Sequence, residues 1–281
     1  MKIFKTKQDL RNHLDHVAVG KRIGFVPTMG ALHQGHLALV EQAKQHADIV
    51  VCSIFVNPTQ FNDPADLEKY PRPIENDISL LQQAACDILF LPDVKEIYPE
   101  QDEKWSIDLG ALDKIWEGEH RPGHFQGVTQ VVHRLFDIVR PHLACFGQKD
   151  FQQVMVIQRM LEITQMPVEL LICPTIRDEH GLALSSRNVR LSPEGKTKAL
   201  VLSRALRTVK EQFETKSPQK LRDLGKEIIA QECDVELEYF AICEARSLEE
   251  TTCIIDGKQY VAIVAAWIEG VRLIDNMLLN T

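Results

Sequence analysis

With 281 residues the chain can bury a large core and divide into two domains, and 44% hydrophobic against 26% charged residues is the balance of an ordinary soluble protein. A net charge of -8, from 40 acidic and 32 basic residues, argues against the basic face that nucleic-acid binding needs, so no nucleic-acid partner is expected and any anionic ligand has to be held locally. No segment reaches membrane-spanning length, and the opening MKIFKTKQDLRNHL lacks a signal peptide's apolar core, which predicts a cytoplasmic chain without a membrane partner.

In chain order, the first predicted strand is RIGFVPT, which stops at MGALHQGH and hands over to a helix near 35–46, where Leu37, Leu39, Val40 and Ala43 recur at helical spacing. DIVVCSIFV follows as a second strand. Next come the long polar connection FVNPTQFNDPADLEKYPR, a helix near 74–85 and the strand CDILFLP. Gly123, His124 and Gly127 open a further helix in RPGHFQGVTQVVHRLF, ahead of the strands HLACFG and VELLICPT. Near-continuous hydrophobicity in these runs marks strands buried on both faces, as in a parallel sheet covered by helices, whose ligands bind beyond the strands' carboxyl ends. After about Ile176 the polar RDEHGLALSSRNVRLSPEG leads to two helices capped at Ser192-Pro193 and Ser217-Pro218. ELEYFAICEA, TTCIID and YVAIVAAWIEGVRLIDNML then read as short strands of an antiparallel sheet. Seven cysteines, an odd number with no CxxC pair, read as buried thiols rather than disulfides or a zinc site.

Four stretches carry candidate chemistry. A helix start bears N–H groups and partial positive charge, so HQGH, with His33 and His36 three apart, suits phosphate, and Gly30 and Gly35 let backbone approach it. A surface histidine pair or a metal site is the alternative, the latter without a third ligand at telling spacing. In FGQKDFQQ, Lys149 offers a compact charge, Gly147 permits close approach and Gln153 faces the same cleft; a capped helix start with Asp150 as N-cap and a solvated Lys149 reads equally from these letters. Ser185, Ser186 and Arg187 sit in a loop able to cover a triphosphate, or simply in a polar linker. Gln60 stands where an amide could bind a carboxylate or hydroxyl, with Tyr70 or Arg72 completing the pocket.

PTMGALHQGH, FVNPTQF, YPR, RPGHFQGV, FGQKDFQQ and LSSRN, in this order from Pro27 to Asn188, resemble the pantoate:β-alanine ligases, the pantothenate synthetase family. PTMGALHQGH alone resembles only the wider nucleotidyltransferase superfamily. The resemblance implies an α/β fold: a Rossmann-like doubly wound parallel sheet at 1–176 and a smaller C-terminal α+β lid domain at 177–281, in a homodimer. It implies condensation of (R)-pantoate with β-alanine through a pantoyl adenylate, with ATP giving AMP and pyrophosphate. It further implies that Met29, Gly30, Ala31, Leu32, His33, Gln34, Gly35 and His36 hold ATP, with His36, His33 and Lys149 catalytic. Gly147, Gln148, Asp150, Ile176, Leu184, Ser185, Ser186 and Arg187 complete the ATP site, and Gln60 and Gln153 bind pantoate and β-alanine. Asp77 would help position Mg²⁺, which enters with ATP. A nucleotidyltransferase that stops at AMP transfer, and a non-catalytic nucleotide-binding module, are the rival readings; the first would lack a pocket for an amine substrate.

Overall fold

The computed structural model describes residues 1–61, 64–99 and 105–280; Asn62 and Asp63 of the long polar connection lie outside them. Two compact units emerge, Met1–Gly147 with Gln153–Pro174, and Gln148–Gln152 with Thr175–Thr281. The division falls at 174/175, against the expected 176/177, and the short segment after Gly147 groups with the second unit.

The first unit is built from β1 (Lys2–Phe4), α1 (Lys7–Val17), β2 (Ile23–Thr28), α2 (Gln34–His46), β3 (Ile49–Ile54), α3 (Pro64–Lys69) and α4 (Ile74–Gln83). It continues with β4 (Ile88–Phe90), α5 (Val94–Ile97), α6 (Glu117–His120), α7 (His124–Val139), β5 (Leu143–Gly147), most of α8 (Phe151–Thr164) and β6 (Glu169–Cys173). All six strands pair in parallel in the order β1-β4-β3-β2-β5-β6. Period-two alternation sends the apolar runs to both faces. Val26, Val50, Cys52 and Cys145 pack with Leu39, Val40 and Ala43 of α2. On the other face Phe136 of α7 meets Phe25 and Phe146 edge-on, at centroid distances of 6.1 and 6.4 Å. This is the expected doubly wound sheet. Strand order reverses at β2, which pairs with β3 on one side and β5 on the other, and an open sheet has its ligand crevice outside the carboxyl ends at such a point. The edge pair of β1 and α1 was not anticipated: KIF is too short and too polar at its flanks to stand out as a strand, and pairing with β4 makes it one.

In the second unit α9 (Pro193–Glu211) and α10 (Pro218–Ala230) cover an antiparallel sheet of β7 (Val235–Glu244), β8 (Tyr260–Ile268) and β9 (Val271–Leu278). Leu202, Leu206, Leu221, Phe240, Ile242 and Val264 belong to its core. Both serine–proline starts are helix caps: Ser192 Oγ accepts the Gly195 N–H at 3.0 Å, and Ser217 Oγ that of Lys220 at 3.5 Å. TTCIID, expected as a strand, is not one. Just before it Glu250 bridges to Cys243, and the Thr251 N–H donates to Ile242 O at 2.9 Å, but the following residues run through turns to β8, because Asp256-Gly257 breaks the run and leaves Ile254 and Ile255 exposed. Five cysteines are buried, Cys233 and Cys253 are exposed, and all seven are free thiols.

Candidate active site

The loop that leaves β2 is pinned at nearly every residue. Thr28 Oγ1 donates to Ser53 O at 2.8 Å and accepts the Gly30 N–H at 3.2 Å. Gly30 and Ala31 both take positive φ, +81° and +51°, the left-handed region that disfavours a residue carrying Cβ. A Cβ on Gly30 would come to 3.0 Å from Asp77 Oδ2, so glycine is favoured on two counts. Asp77, at 0% exposure on the first turn of α4, accepts the Ala31 N–H at 2.9 Å and the Leu32 N–H at 2.8 Å, one on each carboxylate oxygen. Burial raises its pKa, opposed by those two N–H bonds.

The two histidines finish the loop. His33 is the N-cap of α2, its Nδ1 accepting the Gly35 N–H at 3.1 Å, and His36 Nδ1 accepts the His33 N–H at 3.3 Å. A backbone N–H can only donate, so both Nδ1 atoms are unprotonated and each neutral ring carries its proton on Nε2. The rings stack at 4.1 Å between centroids, tilted by 38°. The N–H groups of Gly30, His33 and Gly35 are bonded within the loop, and those of Ala31 and Leu32 to Asp77 of α4. The turn also carries the imidazole Nε2–H groups of His33 and His36. The Asp77 oxygens hold the loop through their two bonds.

Gln60 ends a 3-10 turn, Pro58–Gln60, capped by the Asn57 side chain, and is 8% exposed. Asn57 Nδ2 donates to Gln60 Oε1 at 3.2 Å and to Gly127 O at 3.1 Å, while its Oδ1 accepts the Tyr98 hydroxyl at 2.8 Å. Gln60 Nε2 reaches Met29 Sδ at 2.9 Å, joining two expected site residues. A thioether is a weak acceptor, so a ligand oxygen outcompetes it. His124 Nδ1–H donates to Gln60 O at 2.8 Å, with the Arg121 guanidinium 3.1 Å from its Nε2, which fixes the opposite tautomer from that of His33 and His36. Asn57, Tyr98 and His124 were not singled out as site residues; the signal for Asn57 was its place before Pro-Thr, an N-cap pattern. Arg72 turns back to donate to Leu67 O at 2.9 Å and Tyr70 O at 3.1 Å, and Tyr70 packs edge-on against Phe61. Gln153 is half-buried on the first turn of α8.

The first turn of α7 crosses this segment closely. A Cβ on Gly127 would lie 2.4 Å from Thr59 O and 2.9 Å from Gln60 N, both backbone atoms. Gly127→Ala is therefore expected to destabilise by about 1–3 kcal/mol, the range for overpacking, measured by denaturant unfolding; an unchanged midpoint would mean that the turn yields freely.

In the second unit, Gln148–Asp150 form a 3-10 turn with Lys149 Nζ 3.8 Å from Asp150 Oδ1. Asn276 of β9 grips this turn: its Nδ2 donates to Gln148 O at 2.9 Å and Lys149 O at 2.8 Å, and its Oδ1 accepts Gln148 Nε2 at 3.2 Å. The stretch after Ile176 is less irregular than its letters suggest. Arg177 bridges to Ala183, the Leu184 N–H donates to Ile176 O at 2.9 Å, and Asp178 Oδ1 accepts the His180 and Leu182 N–H groups across the Gly181 turn. Ile176 and Leu184 are thus paired, and Ser185 follows as the cap of the turn Ser186–Arg190, its Oγ accepting the Arg187 N–H at 3.3 Å. Among the described residues no group of three or more His, Cys, Asp or Glu side chains is placed to hold a metal ion.

Residues 2–278 match the family model of pantoate-beta-alanine ligase. A pantothenate synthetase of Cytophaga hutchinsonii is 47% identical over 275 residues, covering 97% of each chain. The crystal structure of pantothenate synthetase from Thermus thermophilus superposes with a TM-score of 0.93 at 44% identity over 100% of both chains. A pantoate-beta-alanine ligase from Francisella tularensis, crystallised with beta-gamma ATP and beta-alanine, gives a TM-score of 0.81 at 34% identity, covering 100% of this chain and 98% of that one.

Proposed function

The chain belongs to the pantoate-beta-alanine ligase family, and from that premise we propose how its own residues carry out the family's reaction, the ATP-dependent condensation of (R)-pantoate with β-alanine. In the first step a pantoate carboxylate oxygen attacks the α-phosphorus of ATP, the bond to the bridging oxygen breaks, and pyrophosphate leaves. In the second the β-alanine amine attacks the acyl carbon of pantoyl adenylate, AMP leaves with the electron pair, and the amine's proton goes to solvent or buffer. Neither step needs a covalent bond to the protein. Alignment and charge stabilisation are the protein's contribution.

The observation that carries the reading is the pair of imidazoles at the start of α2, fixed as Nε2–H donors by the backbone on their inner side and set at the strand-order reversal. Such donors stabilise charge that grows on phosphate oxygens during attack. We assign His33, His36, Lys149 and the Ser185–Arg187 turn to the nucleotide's phosphates. Gly147, Gln148, Asp150, Ile176 and Leu184 are assigned to the rest of the nucleotide. Gln60 and Gln153 are assigned to pantoate and β-alanine; the support at Gln60 is its amide, oriented by Asn57 and held at Nε2 by a weak sulfur acceptor. Mg²⁺ would come with ATP, bound chiefly by phosphates and water as this ion commonly is, and no step here is assigned to it. A homodimer in the cytoplasm belongs to the same proposal; no helix among the described residues is long and apolar enough to cross a membrane.

The purified chain is expected to form AMP from ATP only when pantoate and β-alanine are both present, and to exchange labelled pyrophosphate into ATP with pantoate alone. AMP formation indifferent to β-alanine would overturn the ligase reading in favour of a nucleotidyltransferase.

A further inference from the structure

We propose that Asn276 is a positioning residue for the adenylation step, holding the Gln148–Asp150 turn so that Lys149 is presented to the nucleotide. The inference rests on the assignment of Lys149 to phosphate made above. Asn276 is 3% exposed, and its side chain commits both its amide nitrogen and its oxygen to this one turn: two N–H bonds to consecutive carbonyls and one acceptor for the Gln148 amide. A buried amide satisfied in this way allows one geometry for its partner, because rotation of the turn would leave polar groups unpaired.

The grip is itself anchored. Asp275, 5% exposed, takes the Arg177 guanidinium on both oxygens at 2.6 and 2.9 Å, and its Oδ1 also accepts the Asn276 N–H at 2.8 Å. Arg177 Nη1 in turn reaches Gly181 O at 3.2 Å. Two adjacent residues of β9 therefore tie down both the Lys149 turn and the hairpin from which Ser185, Ser186 and Arg187 emerge. Arg177, although basic and close in sequence to that loop, has its charge answered by Asp275 and is a strut rather than a phosphate ligand. The pairing also accounts for Gln148–Gln152 grouping with the C-terminal unit.

The test is pyrophosphate exchange with pantoate in Asn276→Ala, Lys149→Ala and the double variant, with thermal unfolding alongside. Asn276→Ala is expected to raise the KM for ATP about tenfold or lower kcat equivalently, about 1.4 kcal/mol, with the KM for pantoate unchanged. The double variant is expected to be no worse than Lys149→Ala, since both changes remove the same contribution. Asn276→Asp, which keeps the side-chain size but turns acceptors toward two carbonyls, is expected to show the same split and serves if the alanine variant fails to fold. A wild-type KM and kcat for ATP in both Asn276 variants, or a double variant that loses the full product of the two single losses, overturns the proposal. If Lys149→Ala exchanges pyrophosphate like wild type, it is the underlying assignment of Lys149 that fails.

Discussion

Pyrophosphate exchange is expected to fall by about 10²–10³-fold when His36 is replaced by alanine, the loss typical of removing one preorganised donor to a developing oxyanion, while the fold survives. The survival follows from what the ring does structurally. It accepts one backbone N–H at 3.3 Å and stacks on His33, and a single neutral hydrogen bond contributes about 0.5–1.5 kcal/mol. That corresponds to a melting shift of only a few degrees, roughly 2–4 °C per kcal/mol in large domains. The KM for pantoate should be little affected, because the lost interaction grows on phosphate in the transition state rather than on the acid substrate. Cooperative unfolding of His36→Ala at room temperature, or exchange within a few-fold of wild type, would return the residue to a packing role.

Much of this site was legible in the letters because its parts are local. A buried strand followed by a glycine-containing loop, polar residues and a helical period places HQGH at a helix start whatever else the chain does, and the α2 cap geometry bears that out. The serine–proline caps of α9 and α10 are local in the same way. What could not be read was which N–H groups remain for a ligand. Those of Ala31 and Leu32, in the loop before the helix, are taken by a carboxylate 46 and 45 residues away, and no periodicity signals a contact of that span. The hold of Asn276 on Lys149 spans 127 residues and is equally invisible. TTCIID shows the converse failure: its β-branched content favours a strand, yet beside β7 the pairing stops at Glu250 and Thr251 and the run turns away before Asp256-Gly257.

Asp77 yields the second large effect, and the most discriminating one. Ala31 sits at φ +51°, a conformation that costs an L-residue roughly 1–2 kcal/mol and persists only where surroundings over-determine it. The determinant is the pair of N–H bonds to Asp77. Asp77→Ala would leave two buried donors unsatisfied at about 1–3 kcal/mol each, so the loop is expected to relax and carry His33 with it. A displacement of about 1 Å in a catalytic group costs on the order of 10²-fold, and exchange activity should fall by at least that much, with stability lowered by about 2–6 kcal/mol. Asp77→Asn, which keeps one acceptor and turns an N–H₂ toward the other donor, should fall between wild type and alanine on both measures. Magnesium titration separates this loop-holding role from an ion ligand. A lost metal ligand weakens apparent Mg²⁺ affinity, so raising the ion concentration would restore Asp77→Asn activity. A lost loop clasp leaves the Mg²⁺ dependence as it was and the activity low at every concentration. Recovery of exchange at high Mg²⁺ with an unaltered unfolding midpoint would put the carboxylate on the ion instead.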